Sequence, residues 1–479
     1  MSLLIPGTNS IKDTGYDVAN SLRFNSGSSD SLDRTISSSP TDMKKFTISV
    51  WVKRSKLGSE QAIIGQYSSS NFRAKIDFLA DDRIEYIQKN DGNTTANLIT
   101  TRKFRDTSAW YHIVMEYDSA QSTSSNRLKF YVNGTQETAF DTTSYPAQNL
   151  DGKLNQAGQP LDIGQDGNSS IYFGGYMTEF VFVDGQALDP TSFGEFNSDS
   201  PTIWQPIDVS GLTFGDDGFY LDFENSGSLG ADVSGNSNNF TVNNLTSVDQ
   251  STDTCTNNFM TLSPLLKGSN IDLTEGNVVS TGNTSSDAGN VACTFPIAFS
   301  GKWYFEVKIT AISAAGYPKI AVFQDFENVS QGNYNGGSGG NNMHPTSSSA
   351  TVLAYNDSTL GSPDGNISIT APANGNIFQF ALDMDNGAIY VGVNGTYYNS
   401  GDPTSGSSKT GKIADLTVTN QMMPMSSNYN GSATAYNFGG TPGFSISSGN
   451  ADANGHGNFE YAPPTGYFAL CSKNIGEFG

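Results

Sequence analysis

Cysteines and basic residues are scarce in this chain of 479 residues, and each scarcity excludes a class of function. The three cysteines, Cys255, Cys293 and Cys471, show no Cys-x-x-Cys spacing, which indicates neither a disulfide framework nor a zinc site. The 25 lysines and arginines are outnumbered by 47 acidic residues, and the resulting net charge of −22 repels phosphate groups. The sequence therefore predicts that the chain binds neither nucleic acid nor an anionic membrane surface.

Long apolar segments are also missing. No stretch approaches the roughly 20 apolar residues of a membrane-spanning helix, so membrane insertion is not expected. The first ten residues lack a basic start and carry only the short apolar run Leu3-Leu4-Ile5, so no secretion signal is expected and synthesis in the cytoplasm is predicted. Coiled-coil heptads and shaft-like repeats are absent as well, which argues against an elongated fibre shaft.

Glycine and aromatic residues, by contrast, are abundant. The 51 glycines and the 11% aromatic content fit short strands joined by turns better than helices. Residues 46–52 alternate apolar with mostly polar side chains, as a half-buried strand does. The Asn-Gly pairs at 133–134, 386–387 and 394–395 predict tight hairpins because both turn positions accept positive φ. The predicted fold class is all-β, with two antiparallel, jelly-roll-like β-sandwich domains.

The length suits two or three domains, since one hydrophobic core rarely serves so many residues. Residues 246–258 are polar and rich in Ser, Thr and Asp, which predicts a linker between a first domain, 1–245, and a second domain, 259–479. The Gly-, Asn- and Ser-rich stretch 328–349 is expected to form a long loop inside the second domain.

Five motifs follow one another in the first domain. They are Leu22-Arg23-Phe24, Val50-Trp51-Val52-Lys53, Trp110-Tyr111-His112, the hairpin Tyr131-Val132-Asn133-Gly134 and the strand Gly174 to Phe182. Their order over residues 19–196 resembles laminin-G/concanavalin-A-like lectin domains. The resemblance implies a recognition sandwich.

One motif of that family is displaced. Its opening Asp-x-Ser-Gly-Asn turn is missing at the front and appears after the domain, at residues 232–240, preceded by the strand-like residues 219–224. We therefore hypothesise a circular permutation in which residues 217–245 complete the first sandwich. The alternative is a fragment of an extra domain, for which few residues remain.

The second domain carries a different set of motifs. They are Gly301-Lys302-Trp303-Tyr304-Phe305-Glu306-Val307, Lys319 to Phe323, Phe378 to Gly387 and the returning strand Ile389 to Gly395. The set resembles SPRY domains over residues 259–475, which implies recognition through loops, with 328–349 the candidate loop. Aromatic residues in loop-like stretches, Tyr334 and Tyr429, suit stacking on sugar rings, anchoring of a loop or contact with a neighbouring subunit.

Residues 3–10, 16–24 and 257–265 resemble virion proteins of marine tailed phages, such as cyanophages. This resemblance implies a phage virion structural or adhesion protein, such as a tail fibre, appendage or knob, located in the virion. Its partners would be other virion proteins, a host surface glycan or receptor, and further copies of the chain as a homo-oligomer. A capsid decoration or head-fibre protein is the alternative, and a polysaccharide depolymerase or a bacterial adhesin is a further rival.

Catalytic patterns are weak. Glucanases of related fold use paired carboxylates spaced as Glu-x-Asp-x-x-Glu, and the nearest match, residues 220–224, has Tyr220 in place of the first Glu. Of the three histidines, His112 lies on a core-type strand and is predicted to pack, while His344 and His456 lie in loop-like stretches without a nucleophile motif. The chain is expected not to be an enzyme.

The one cofactor considered is calcium. Oxygen-bearing side chains alternate over Asp232, Ser234, Asn236 and Asn238, as in calcium loops, which makes Asp232 and Asn236 candidate metal ligands. The distal acidic ligand of an EF-hand is absent, and Asp/Asn turns commonly bond to their own backbone, so a plain turn is the competing interpretation.

Overall fold

The computed structural model describes residues 15–37, 39–168, 170–285, 288–313, 318–324, 351–356, 359–361 and 367–479. The described chain divides into two compact units, of which the first ends at Thr256 and the second begins at Asn257. The predicted loop 328–349, with Tyr334 and His344, lies outside the described residues.

The first unit consists of two antiparallel sheets and a small hairpin. Its strands are β1 (Ser21–Phe24), β2 (Ser31–Thr35), β3 (Lys45–Arg54), β4 (Gln61–Ser69), β5 (Phe72–Phe78), β6 (Arg83–Asn90), β7 (Asn93–Lys103), β8 (Tyr111–Asp118), β9 (Leu128–Val132), β10 (Thr135–Gln136), β11 (Phe140–Ser144), β12 (Pro160–Ile163), β13 (Gly175–Asp184), β14 (Gly194–Phe196), β15 (Trp204–Pro206), β16 (Phe219–Leu221), β17 (Thr241–Asn243) and β18 (Gln250–Ser251). Sheet 1 has the order β10-β9-β8-β3-β13-β1-β18, with β16 also paired to β13. Sheet 2 has the order β11-β7-β6-β5-β4-β12-β2-β17, and β14 pairs with β15.

Alternation along the strands places one hydrophobic core in this unit. Successive side chains of a strand point to opposite faces, so Ala74, Ile76 and Phe78 of β5 join the core with β3 and β8 residues such as Ile48 and Ile113. The polar residues of β5 then face the other way. The prediction of an all-β, antiparallel sandwich is confirmed.

The prediction of a half-buried strand at residues 46–52 is wrong. All residues of β3 from Phe46 to Arg54 are buried, on both faces of the sheet. The polar side chains of this strand form hydrogen bonds inside the molecule. The Thr47 hydroxyl donates to the Gln186 carbonyl (2.9 Å), and Ser49 Oγ lies 2.7 Å from His112 Nε2. Sheet 1 is therefore covered on its outer face as well.

The displaced segment 217–245 adds strands to both sheets of the first unit. Strand β16 pairs with β13 of sheet 1, and β17 pairs with β2 at the edge of sheet 2. Phe219, Leu221 and Phe240 are buried in the common core. Arg34 of β2 fixes the segment, because its guanidinium donates to the Asp217 carbonyl (3.1 Å) and to Asn238 Oδ1 (2.8 Å).

The segment predicted as a linker, 246–258, is a built part of the fold. Strand β18 pairs with β1. Two acidic residues of the segment form buried ion pairs with residues of sheet 1. Arg23 lies 2.7 Å from Asp249, and Lys53 lies 2.6 Å from Asp253 with both side chains 1% exposed. Polar composition misled the prediction, because the acidic residues here neutralise buried cations of sheet 1 instead of facing solvent.

The second unit is also built of two antiparallel sheets. Its strands are β19 (Leu262–Lys267), β20 (Ile271–Thr274), β21 (Val279–Gly282), β22 (Gly289–Cys293), β23 (Lys302–Ala311), β24 (Lys319–Gln324), β25 (Thr351–Asn356), β26 (Thr359–Gly361), β27 (Ile367–Ser368), β28 (Ile377–Asp383), β29 (Ala388–Val393), β30 (Thr396–Tyr397), β31 (Ala414–Asp415), β32 (Met422–Asn428), β33 (Ala433–Asn437) and β34 (Phe468–Ala469). One sheet has the order β19-β22-β32-β24-β25-β26-β27 and the other β20-β21-β33-β23-β28-β29-β30, with β31 on β29 and β34 on β23.

Helices are short throughout the described chain. The α-helix α1 spans Ser472–Phe478. The 3₁₀ turns are Ser124–Asn126, Pro190–Ser192, Ser247–Asp249, Glu275–Asn277, Tyr398–Ser400 and Pro403–Ser408.

Two of the three predicted Asn-Gly hairpins have the expected geometry. Both turn residues have positive φ at 133–134, between β9 and β10, and at 394–395, between β29 and β30. The third differs, because β28 and β29 pair from Asp383 to Ala388 and leave a four-residue loop in which Gly387 alone has positive φ. There the Asp383 carboxylate accepts from the backbone N–H of Asn386 (3.0 Å).

Candidate functional site

The outer face of sheet 1 is closed to a ligand by apolar side chains. One cluster consists of Val114, Tyr131, Val181, Val183, Phe193, Val209, Phe214 and Tyr220. A second consists of Val18, Trp51, Trp110, Tyr176, Trp204 and Cys255. Chain segments that precede β1 or follow β13 supply the covering residues of both clusters, so this face is interior.

His112 belongs to that interior. Its ring stacks on Trp51 (4.7 Å between centroids) and on Trp204 (6.0 Å), as the predicted packing role requires. The Trp204 indole can only donate, so His112 Nδ1 accepts from it (2.8 Å) and Nε2 carries the proton toward Ser49 Oγ. Burial lowers the pKa of His112 to about 3. The imidazole is neutral and committed to these two bonds.

The outer face of sheet 2 carries polar side chains, and we call it the polar face: Asp33, Lys75, Asp77, Glu85, Asn97 and Asp162, of which Asp33 and Asn97 are partly exposed and the other four are buried. Strand register aligns these residues. One row runs across six neighbouring strands through Asp33, Asp162, Gly65, Lys75, Ile87 and Asn97. Asp77 and Glu85 stand opposite each other two residues further along β5 and β6, on the same face.

Lys75 is the central cation of the polar face. Its ammonium donates to Asp77 (2.9 Å) and to Glu60, which lies just before β4. Burial opposes a charge on Lys75, but Asp77 and Glu60 outweigh burial and raise its pKa. Burial also raises the pKa of Asp77 well above its usual range, although Lys75 counteracts this. The charges at this point of the sheet are thus balanced within the protein.

Glu85 and Asn97 add a carboxyl group and an amide beside this cluster. Asn97 Nδ2 donates to Glu85 Oε1 (3.0 Å), and burial raises the pKa of Glu85. Among the described residues, Asn97 Oδ1 and Asp77 Oδ1 have no hydrogen-bond partner. Of these two oxygen acceptors without a partner, the one on Asn97 belongs to a partly exposed residue.

Asp33 and Asp162 form a second acidic pair, on neighbouring strands β2 and β12, where they stand directly opposite each other. Asn243 Nδ2 donates to Asp33 Oδ1 (2.5 Å), and Gln165 Nε2 donates to Asp162 Oδ1 (2.7 Å). Burial, followed by repulsion from Asp33, raises the pKa of Asp162 to about 7. Asp162 can therefore donate or accept a proton near neutral pH.

A glycine makes room for the loop that borders this pair. A Cβ on Gly65 would lie 2.6 Å from the backbone carbonyl carbon of Asp166, so only glycine leaves room for the backbone at Asp166 to pass close to β4. The Asp166 carboxylate fixes the loop by accepting from the backbone N–H groups of Ser170 (3.2 Å) and Ile171 (3.3 Å). Gln165 is held beside Asp162 in consequence.

The candidate calcium ligands Asp232 and Asn236 lie in a turn that bonds to itself. Asp232 accepts from the backbone N–H groups of Tyr220 (2.9 Å), Ser234 (2.9 Å) and Asn238 (2.7 Å). The Asn236 amide donates to the carbonyl of Gly215 (2.6 Å). In the described part of the chain no three His, Cys, Asp or Glu side chains form a group suited to a metal ion. Calcium binding here stays a prediction.

The remaining candidates of the second unit have structural contacts. The Tyr429 hydroxyl donates to the carbonyl of Ser285. The backbone N–H of His456 donates to Asp452 (2.9 Å), whose other carboxylate oxygen accepts from the backbone of Ala469 (2.9 Å). The three cysteines are buried and free.

The polar face was missed from the sequence. Its signal is the period-two pattern of β5, in which Arg73, Lys75 and Asp77 alternate with apolar residues, and the placing of Glu85 between Ile84 and Tyr86 in β6. Such a pattern predicts a strand with one solvated face, which is the common case. It does not show that polar residues 33, 75 and 162 share one row.

A family model describes part of this unit. Residues 21–192 match the model of the concanavalin A-like lectin/glucanases superfamily, which supports the lectin-type resemblance of the first domain. No curated protein sequence matches the chain significantly. In the described residues no helix combines the length and the apolar character needed to cross a bilayer.

Three solved structures from different sources match parts of the chain. The SPRY domain of human HERC1 is 14% identical, with a TM-score of 0.25 and coverage of 36% of this chain and 96% of that one. A native heptameric SAP-like pentraxin from Limulus polyphemus is 14% identical, with a TM-score of 0.27 and coverage of 36% and 79%. A candidate carbohydrate-binding protein from Bacteroides ovatus is 16% identical, with a TM-score of 0.32 and coverage of 48% and 60%.

Proposed function

We propose that the first unit binds a glycan on the polar face of sheet 2 and that the chain is an adhesion protein, not an enzyme. The observation that carries this proposal is the polar face itself, where carboxyl groups, an amide and an ammonium lie in adjoining rows. Saccharides present hydroxyl groups in fixed directions, and such ligands are selected by a few precisely placed donors and acceptors. The family-model match of residues 21–192 supports the assignment.

The placement of the carboxyl groups favours binding over hydrolysis. Glycoside hydrolases hold two carboxyl groups on either side of the scissile bond, about 5–9.5 Å apart. Asp33 and Asp162 are directly opposite on adjacent strands, and their side chains share one side of the sheet. Lys75 already bonds to Asp77 and Glu60. Asp33 and Asp162 therefore line one surface of the sheet, and the carboxyl groups beside Lys75 are committed to an ion pair.

A glycan array followed by calorimetry tests the binding site. We expect Asn97→Ala to weaken binding by about fivefold, because it removes one neutral hydrogen-bonding group worth about 1 kcal/mol. Asn126→Ala, an exposed position in a 3₁₀ turn, is the matched control and should bind as the native chain does. A chain that binds no glycan at all would refute the proposal, and so would equal loss in both variants.

Catalysis needs a separate measurement. If the chain is an adhesin, incubation with the saccharides that it binds will release no new reducing ends above a buffer control. If highly purified protein still releases reducing ends, the depolymerase alternative is established instead.

We further propose that the chain is a virion component, as a tail appendage or knob. The resemblance of residues 3–10, 16–24 and 257–265 to proteins of marine tailed phages supports this location. The second unit would then contact other virion subunits, and the chain would assemble as a homo-oligomer. Immunogold labelling of purified particles with antibodies to residues 257–479 tests it: labelled tails support an appendage, labelled capsids support the decoration alternative, and unlabelled particles contradict both.

A further inference from the structure

The Asp33–Asp162 pair places two carboxyl groups directly opposite each other. Among the described residues, no lysine or arginine forms an ion pair with either carboxylate. The nearest central cation, Lys75, is bonded to Asp77 and Glu60. Asp166 on the following loop adds to the repulsion felt by Asp162. Directly opposed like charges destabilise a sheet, so this arrangement needs a reason outside packing.

An unused acceptor lies beside the pair. Gln165 is 7% exposed and its Nε2 donates to Asp162 Oδ1 (2.7 Å), whereas its Oε1 is buried with no hydrogen-bond partner in the described chain. Both atoms belong to one planar amide, so Oε1 lies close to the Asp162 carboxyl group. Burying an unpaired amide oxygen costs about 1–3 kcal/mol. A ligand with N–H donors would recover that cost.

We propose that Asp33, Asp162 and Gln165 bind the protonated primary amine of an amino sugar, a site that we call the amine site. This inference rests on the proposed function, since it names the saccharide class that the polar face takes. An ammonium has three N–H donors, and three neighbouring residues supply acceptors for them: the opposed carboxyl groups of Asp33 and Asp162, and Gln165 Oε1, which is buried in the free protein. The charge-assisted bonds to the two carboxylates supply most of the selectivity.

Other ligand classes fit the site less well. Ca²⁺ takes six to eight oxygen ligands, whereas two carboxylates and one amide supply fewer. Carboxylated, sulfated or phosphorylated sugars are repelled by Asp33 and Asp162. An N-acetylated amino sugar has no positive charge and keeps a single N–H donor. Free amines are therefore preferred over both.

Proton release gives the amine site a distinct signature. The pKa of Asp162 is raised to about 7 by burial and by Asp33, so part of the free protein carries a proton on Asp162 at neutral pH. An ammonium beside the carboxylate lowers that pKa. Binding then releases the proton of Asp162, and at about pH 6, where the sugar's amines are mostly charged already and take up little of it, the binding enthalpy will depend on the ionisation enthalpy of the buffer.

The test is isothermal titration calorimetry of the full chain with three tetrasaccharides: fully deacetylated chitotetraose, N-acetylated chitotetraose and cellotetraose. We expect the deacetylated sugar to bind at least about tenfold more tightly than the other two, with proton release. Asp162→Asn should remove this preference and the proton release. Asp91→Asn makes the same chemical change on the exposed β6–β7 turn and should retain both.

Each other outcome is decisive. If none of the sugars binds, and the glycan array is also empty, the proposed function fails and the amine site fails with it. If the three sugars bind equally and Asp162→Asn changes nothing, the amine site is refuted while glycan binding stands. If CaCl₂ alone binds and is lost in Asp162→Asn, the site belongs to a metal and the assignment is overturned. Should Asp162→Asn unfold, Asp33→Asn replaces it with the same expectations.

Discussion

At the residue scale, the surroundings of several carboxyl groups on the polar face raise their pKa values. The pKa of Asp162 is raised to about 7 by burial and by Asp33, so the folded chain holds a proton that the unfolded chain has released. The stability contributed by this proton is complete below the ordinary range of aspartate and is lost as the pH rises toward 7. Binding residues of this kind are expected to lower the stability of the free protein.

Asp162→Asn tests that cost directly. Asparagine has the same shape without the charge, so the variant should melt at a higher temperature than the native chain near pH 7, and the difference should shrink at about pH 4. Differential scanning calorimetry across this range, without any sugar, measures it. If the melting temperatures of the variant and the native chain change identically with pH, Asp162 is not destabilised by repulsion from Asp33.

The sequence predicts such residues only in part. Period-two polarity in β5 shows that Lys75 and Asp77 share one face. That Asp33 faces Asp162 depends on the register of β2 against β12, two strands separated by more than a hundred residues. No local pattern specifies that register. His112, by contrast, was predicted to pack because its flanking strand is apolar.

At the element scale, the segment 246–256 acts as a strap whose acidic residues neutralise buried cations. Asp253 accepts from Lys53 Nζ (2.6 Å) and from Trp110 Nε1 (3.2 Å), and its backbone carbonyl accepts from Ser21 Oγ (2.7 Å). Removing one partner of a buried ion pair leaves an uncompensated charge. The strap is therefore a structural element, although its polar composition is typical of a linker.

Asp253→Asn is expected to reduce the free energy of unfolding by about 3–5 kcal/mol, because Lys53 would stay buried without a counterion. Asp141→Asn is the control, since Asp141 is 49% exposed in its pair with Arg83 and such surface pairs contribute about 0–1 kcal/mol. Urea-induced unfolding followed by tryptophan fluorescence compares the two. Equal effects would mean that the strap does not hold sheet 1.

The displaced segment 217–245 makes a similar prediction through packing. Phe219 is fully buried and its ring lies 4.8–6.0 Å from those of Phe180, Phe182 and Phe240. Phe219→Ala should destabilise the first unit by about 3–5 kcal/mol, as large-to-small core changes do. Val233→Ala, 47% exposed in the same segment, should have little effect. Thermal melting that is unchanged in Phe219→Ala would contradict the segment's place in the core.

Calcium at the Asp232 turn is open to one simple measurement. If Asp232 and Asn236 hold the ion, millimolar CaCl₂ raises the melting midpoint and a chelator reverses the rise, because a ligand that binds only the folded state stabilises it. The hydrogen bonds that Asp232 already accepts make the turn complete without an ion. An unchanged midpoint removes the calcium hypothesis.

At the scale of the whole molecule, composition was the most reliable guide. Many glycines, many aromatics and few charged residues predicted short strands and turns, and the structure is all-β. Composition did not show which sheet face is exposed. The covering of sheet 1 depends on where Trp204 and Val209 pack after the chain has turned back over the sheet, and that is a tertiary effect.

The two units should be separable in function as well as in packing. Each has its own buried core, so residues 7–256 and residues 257–479 are expected to fold when expressed alone. Glycan binding should then remain with 7–256 at the affinity of the full chain, since every residue of the polar face lies in that part. Circular dichroism checks folding, and calorimetry with the same tetrasaccharides checks binding. Binding confined to 257–479 would move the recognition site to the second unit and refute the role of the polar face.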